Sequence, residues 1–180
     1  MRIISGKYKG KRLSAPKNLP VRPTTDFAKE GLFNMIGNEF DIEQLSVLDL
    51  FCGTGNITFE FASRGAKKIV CIDENYHCID YVKRITKELE FNRISIFKND
   101  VFRYLNKYPD QFDLIFADPP YKLKNIDKIP QLVIENQLLK KNGLLILEHD
   151  KSWDFSGHLN FLRHRKYGSV NFSIFQNNDK

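Results

Sequence analysis

From residue 46 onward the chain alternates short β-branched or aliphatic runs with stretches of helical period, and few folds accommodate that alternation. Consecutive strands separated by helices form a parallel sheet with crossover helices on its faces. The expected strands are 46–51 (SVLDLF), 68–73 (KIVCID), 94–98 (ISIFK), 113–118 (DLIFAD) and 143–149 (GLLILEH), with helices near 56–64, 75–90, 101–107 and 127–139. In the second of these helices Cys78, Val82, Ile85 and Leu89 share one stripe, and Lys83, Lys87 and Glu88 lie away from it. Residues 158–176 hold two strand-like runs around Tyr167-Gly168, read as an antiparallel pair that closes one sheet edge. The fold class is therefore α/β, doubly wound and mostly parallel.

Upstream, "TTDFAKEGLFNMIG" (24–37) reads as a helix capped by Thr25 or Asp26, with Ala28, Leu32, Met35 and Ile36 on one face and Gly37 as its stop. Residues 14–23 contain three prolines and read as an extended linker. Before them lies a basic segment. Residues 1–22 carry seven Lys and Arg and no acid, whereas the whole chain has 28 basic and 22 acidic residues, so everything after residue 22 is close to neutral. These cations alternate with Ile3, Ile4, Tyr8 and Leu13 around Gly6 and Gly10, which suggests a short hairpin and not only a solvated tail. A structured basic hairpin suits a polyanion such as RNA or DNA, with Lys7, Lys9, Lys11, Arg12 and Arg22 as contacts. The expected division is a hairpin and linker over 1–23 and one main domain over 24–180.

Between the first strand and its helix stands "LDLFCGTG" (48–55). Gly53 and Gly55 permit a tight turn and close ligand approach, and the helix after them offers unpaired N–H groups. Phe51 and Thr54 belong to the same turn. A glycine pair alone is weak, because many strand-to-helix turns bind nothing. Two details redirect it. A dinucleotide fingerprint places a third glycine where this chain has Thr58, and Asp49 aims a carboxylate at the place a pyrophosphate would occupy. Such a site favours a cationic ligand. Asp73, at the end of the second strand, stands where an acid reads ribose hydroxyls, and Asp100, followed by Val101, stands where an acid accepts from an adenine amine or caps a helix. S-Adenosylmethionine carries all of these groups: a sulfonium and an amine for Asp49, a ribose for Asp73 and an adenine for Asp100.

"DPPY" (118–121) ends the fourth strand, beside the first in a doubly wound sheet. An aromatic amine is a poor nucleophile because its lone pair is delocalised into the ring. Two acceptors, the Asp118 carboxylate and the Pro119 carbonyl, can fix its N–H bonds and favour a pyramidal nitrogen, while Pro120 stiffens the corner. Tyr121 offers a π-face for a base taken out of its stack. The reaction this suits is methyl transfer to an exocyclic amine, with no metal and no covalent intermediate. The plain alternative for these residues is a rigid loop after a strand.

The other conspicuous residues read as structural. Cys52, Cys71 and Cys78 lack metal-ligand spacing and suit free thiols in a reducing compartment, the cytoplasm. His77, His149, His158 and His164 form no metal-ligand grouping, Trp153 reads as packing, and no apolar run has the length of a membrane span.

Taken together, "MRIISGKYKGKRL" (1–13), "RPTTDFAKEGLFN" (22–34), "VLDLFCGTG" (47–55), "DLIFADPPY" (113–121) and "GLLILEH" (143–149) resemble the bacterial 16S ribosomal RNA guanine-N2 methyltransferases of the RsmD type. The resemblance covers nearly the whole chain. It implies a seven-stranded methyltransferase sheet, Thr24, Thr25 and Asp26 near the methionine end of the cofactor, and Arg22 facing cofactor or RNA. It also implies 16S rRNA or the assembling 30S subunit as partner, and a monomer is expected. The chain departs from the family pattern at Phe27, where Arg is usual, at Gly31, where Ala is usual, and at Cys52, where Ala is usual. The competing functions are a DNA adenine-N6 methyltransferase, a dinucleotide-dependent oxidoreductase and a non-catalytic RNA-binding module.

Overall fold

The computed structural model describes residues 1–15, 25–108 and 110–177. The elements run α1 (Asp26–Glu39), a 3-10 turn (Ile42–Gln44), β1 (Ser46–Leu50), α2 (Asn56–Ser63), β2 (Lys68–Asp73), α3 (Tyr76–Glu88), β3 (Ile94–Lys98), α4 (Val101–Leu105), β4 (Phe112–Ala117), α5 (Lys128–Glu135), β5 (Leu139–His149), β6 (Phe161–Tyr167) and β7 (Val170–Gln176). The strands form one seven-stranded sheet in the order β3-β2-β1-β4-β5-β7-β6. The first five are parallel to their neighbours, and β7 runs antiparallel to β5 and β6. The order reverses between β1 and β4, which is where an open α/β sheet leaves a crevice at its carboxyl edge.

Alternation along the strands divides the core between the two faces. Val47, Leu114, Phe116, Ile146, Phe172 and Ile174 pack with α1 and with Ile57 and Phe61 of α2. Leu48, Leu50, Ile115, Ala117, Leu145 and Leu147 pack with α4 and α5. The stripe expected on α3 is buried in full: Cys78, Val82, Ile85 and Leu89 are each at most 4% exposed. No helix among the described residues is long and apolar enough to cross a membrane.

Two helix ends differ from expectation. Gly37 does not stop α1, because it keeps a helical backbone and the helix runs on to Glu39 with Phe40 as its C-cap. Glycine ends a helix when it turns left-handed, and Gly37 is not among the positive-φ residues. The helix expected over 127–139 ends at Glu135, since Gln137 turns left-handed at φ 53° and Leu139 already pairs with Phe112 of β4. A register shift between Phe112 and Leu114 then lets β5 bulge around Gly143 before it runs on to His149.

The basic start folds back on itself through one bridge, Arg2 to Arg12, with Ile3 N–H donating to the Lys11 carbonyl at 3.0 Å and Leu13 N–H to the Met1 carbonyl at 2.9 Å. Ile3 and Leu13 point inward, 2% and 4% exposed, and pack with Phe59 and with Ile79 and Val82 of α3. The linker expected over 14–23 falls largely on residues outside those described.

The departures at Phe27 and Gly31 share a cause. A Cβ on Gly31 would lie 2.4 Å from the Tyr167 ring, and Phe27 meets the same ring edge-on at 6.3 Å. α1 is thus shaped around an aromatic side chain at the end of β6. Cys52 is 7% exposed and packs with Cys71, and all three cysteines are free thiols.

Candidate active site

The β1–α2 turn needs backbone that only some residues supply. Phe51, Gly53 and Gly55 take φ values of 60°, 52° and 77°. At Gly55 a Cβ would also come within 2.7 Å of the Phe59 ring, so the position excludes a side chain twice over. The turn is fixed to the neighbouring strand by Asp73: Gly53 N–H donates to one of its carboxylate oxygens at 2.8 Å and Asn75 N–H to the other at 2.8 Å. A carboxylate oxygen has two acceptor directions, so each retains capacity for a hydroxyl. Thr54 is 7% exposed, with its hydroxyl 3.9 Å from the Met1 sulfur.

Asp49 lies below this turn, 1% exposed, and accepts a short hydrogen bond from the Thr58 hydroxyl. Burial pushes its carboxyl up to about 7; the Thr58 hydrogen bond opposes this, and the nearby charges of Asp118 and then Asp73 add to the rise. The place where a dinucleotide fold carries a third glycine thus holds the hydroxyl that orients an acid. Sequence reasoning used Thr58 only to exclude a dinucleotide; its bond to Asp49 spans nine residues and joins a strand to a helix.

Asp118 follows β4 directly, and its N–H donates to the Leu50 carbonyl at the end of β1, at 3.4 Å. The parallel register sets Leu50 beside Ala117, so the DPPY corner and the glycine turn leave adjacent strands at the same edge. Pro119 is buried, whereas Pro120 is exposed and Tyr121 is 48% exposed. The Pro120 carbonyl accepts from Leu123 N–H at 2.8 Å, which closes the corner. Beside it lies a small pocket lined by Pro119, Pro120, Tyr121, Glu148, His149 and Trp153 among others. The His149 ring is held on both sides, by Ser173 Oγ at 2.8 Å and the Asp150 carbonyl at 2.7 Å, and Trp153 stacks on Phe155 at 5.9 Å.

The remaining expected residues are more dispersed. Asp100 is exposed and caps α4, accepting from Arg103 N–H at 2.8 Å; Val101 beside it is 3% exposed. Thr25 caps α1, its hydroxyl accepting from Ala28 N–H at 3.2 Å. Asp26 pairs with Arg2 at 2.9 Å. Lys7, Lys9, Lys11 and Arg12 are exposed, Lys11 within 3.4 Å of Glu88. Arg22 and Thr24 lie outside the described residues. Among the described residues no group of three or more His, Cys, Asp and Glu is arranged to hold a metal.

The charges of Asp118 and Asp73 both act on buried Asp49 beneath the glycine turn. Burial, with a smaller addition from the charges of Asp118 and Asp73, raises Asp49, so a pyrophosphate would meet the wrong charge there, whereas a ligand with fixed positive charge favours the carboxylate. These acceptors fit the ribose hydroxyls and the cationic groups of S-adenosylmethionine.

Residues 1–176 match the family model described as conserved hypothetical protein 95. The Bacillus subtilis (strain 168) protein YlbH is 37% identical over 183 residues, covering 98% of both chains. A Buchnera aphidicola (subsp. Baizongia pistaciae) protein named ribosomal RNA small subunit methyltransferase D is 34% identical, over 84% of this chain and 77% of its own. The crystal structure of HI0767 from Haemophilus influenzae, described as a putative methylase, superposes with a TM-score of 0.81 at 28% identity, over 99% of this chain and 98% of the other.

Proposed function

The chain belongs to the conserved hypothetical protein 95 family and is related to ribosomal RNA small subunit methyltransferase D, and from that premise we propose that it transfers a methyl group from S-adenosylmethionine to the exocyclic N2 amine of one guanine in small-subunit (16S) ribosomal RNA. The observation that carries the reading is the adjacency of Asp118 to the end of β1, through its N–H to the Leu50 carbonyl. That contact brings the DPPY corner and the glycine turn to one edge of the sheet, which supports an amine on one side and a cation on the other.

The bound cofactor supplies an electrophilic methyl carbon on a sulfonium. Toward it, Asp49 offers charge for the cationic end, Asp73 offers acceptors for the ribose hydroxyls and Asp100 offers one for the adenine amine. Gly53 and Gly55 leave the backbone bare where the ligand lies against the turn. Toward the substrate, the Asp118 carboxylate and the Pro119 carbonyl accept the two N–H bonds of the amine, drawing its lone pair out of the ring. Positive charge grows on that nitrogen during transfer, and the fixed carboxylate stabilises it. The proton then leaves the methylated nitrogen toward Asp118. Tyr121 supports the extracted base by stacking, at roughly 1–3 kcal/mol per base. Lys7, Lys9, Lys11 and Arg12 hold the RNA backbone from the hairpin.

The test is to incubate the protein with methyl-labelled cofactor and 30S particles from a strain lacking the modification, then digest the RNA and separate the nucleosides. Label in N2-methylguanosine is the expected result. Label in an adenine, or none in small-subunit RNA, overturns it.

A further inference from the structure

Lys29 and Glu60 are the most deeply buried ion pair among the described residues, 1% and 0% exposed in their side chains and 3.3 Å apart. Lysine is almost never fully buried without a reason. A buried pair is a poor source of stability, because apolar residues of similar volume often serve as well or better. Its connections suggest another purpose.

The Lys29 ammonium has three N–H groups and uses each on a different part of the chain. It donates to the Arg2 carbonyl in the hairpin at 2.6 Å and to the Asn56 side-chain oxygen at 2.9 Å, and it meets Glu60 Oε2. Glu60 Oε2 also accepts from Ile4 N–H at 2.8 Å, while Oε1 accepts from Ser5 N–H at 3.0 Å and from Arg64 Nε at 2.9 Å. Four donors therefore converge on one carboxylate, which satisfies it.

Asn56 is the residue that gives the network its place. It is the first residue of α2 and directly follows Gly55, whose lack of a side chain leaves this helix without a side-chain N-cap. One end of the glycine turn is held by Asp73 through Gly53. The other end is held by Lys29 through Asn56. Lys29 sits on α1, one turn after Thr25 and Asp26.

We propose that Lys29 is a positioning residue for the cofactor turn: its ammonium, buried against Glu60 and bonded to Asn56 and the Arg2 carbonyl, sets the start of α2 and links it to the docked N-terminal hairpin. The inference rests on the reading of that turn as the S-adenosylmethionine site. It predicts that losing the ammonium weakens cofactor binding by the folded protein, whatever it does to stability.

The experiment is titration calorimetry with S-adenosylhomocysteine on the full chain, wild type against Lys29→Met, Lys29→Arg and Asn56→Ala, at a temperature where circular dichroism shows each one folded. Lys29→Met should bind about tenfold more weakly or worse, the scale of loss that a displaced positioning group produces. Lys29→Arg keeps charge and donors and should recover most of the affinity. In steady-state assays Lys29→Met should raise KM for S-adenosylmethionine and leave kcat at saturation nearly unchanged, whereas a merely structural role would lower the active fraction and leave KM alone. Asn56→Ala keeps the ion pair and should share the loss of affinity, so it carries the test if Lys29→Met does not fold. Folded variants that bind as tightly as wild type overturn the inference. Failure of the wild type to bind S-adenosylhomocysteine would instead overturn the cofactor reading beneath it.

Discussion

Burial of Asp49 makes the stability of the free protein depend on pH. Its carboxyl is held near 7 in the folded state against 3.8 as the ordinary value, chiefly by burial. Between those two values the native state binds the proton more tightly than the unfolded chain, so the contribution to stability is greatest at low pH and is lost as pH rises through about 7. Asp49→Asn keeps an acceptor for the Thr58 hydroxyl and removes the titration. We expect it to raise stability more at pH 8 than at pH 5, by about 1–3 kcal/mol, in denaturant unfolding at the two pH values. The same substitution should weaken S-adenosylmethionine binding, and wild-type affinity should climb as pH rises through 7; a flat profile would remove Asp49 from the cationic end. Asp118→Ala should behave in the opposite sense, retaining affinity for S-adenosylhomocysteine and losing turnover by about 10²–10³, the usual range for a preorganised charge-stabilising partner. It should also shift the pH midpoint of cofactor binding downward, since the Asp118 charge is part of what raises Asp49.

At the scale of elements, the joint between the hairpin and α2 is where a small change should have a large local effect. Gly6 takes φ 80°, and a Cβ there would lie 1.9 Å from the Ser63 carbonyl oxygen. Around it, Ser63 Oγ donates to the Ser5 carbonyl at 2.6 Å and accepts from Tyr8 N–H at 3.0 Å, and the Ser63 carbonyl accepts from Lys7 N–H at 2.7 Å. Gly6→Ala should undock the hairpin while the sheet stays folded, seen as fast amide exchange at residues 3–11 with β1 and β4 still protected. Concerted loss of protection in both regions would mean that the hairpin is an integral part of the core. The sequence made the sheet legible because five of its strands are short aliphatic runs bounded by turns, and β1 to β4 lie within one residue of expectation. It made the acids legible because each lies in the last residues of a strand or just beyond its end. Contacts between distant residues were not legible: Thr58 with Asp49, and Glu60 with Lys29, Ile4 and Ser5. A signal existed in "TFEFAS", where Glu60 stands between Phe59 and Phe61 on a helix, but nothing in the spacing names its partners. Gly37 and the 127–139 helix misled because a glycine stop and a helical period are local rules, which the packing of Phe40 and the pairing of Leu139 override.

For the molecule as a whole, charge is segregated instead of spread, and that should govern how it meets its substrate. Seven basic residues and no acid occupy positions 1–22, and the remainder is nearly neutral. Five of them lie on the described hairpin, which packs along α2: Lys7 N–H bonds the Ser63 carbonyl at the last residue of that helix and Lys11 pairs with Glu88 at the end of α3, while the Arg2 carbonyl meets Lys29 near the first residue of α2, so an RNA backbone lying on the hairpin would run along α2 from its far end toward the cofactor turn. Lys7 and Lys9 are exposed, and Lys11 is paired only with exposed Glu88 at 3.4 Å, a contact weak enough for a phosphate to displace. Each phosphate contact contributes about 0.7–0.9 to the slope of log affinity against log salt. Replacing Lys7, Lys9 and Lys11 together by glutamine should therefore weaken binding to small-subunit RNA fragments and reduce that slope by about 2, somewhat less than three full contacts because Glu88 is released as well. Filter binding between 50 and 300 mM salt measures both quantities. If the slope is unchanged, the backbone is held elsewhere and the hairpin's charge serves another purpose; if the slope falls while S-adenosylhomocysteine affinity stays constant, RNA capture and cofactor capture are separable functions of one fold.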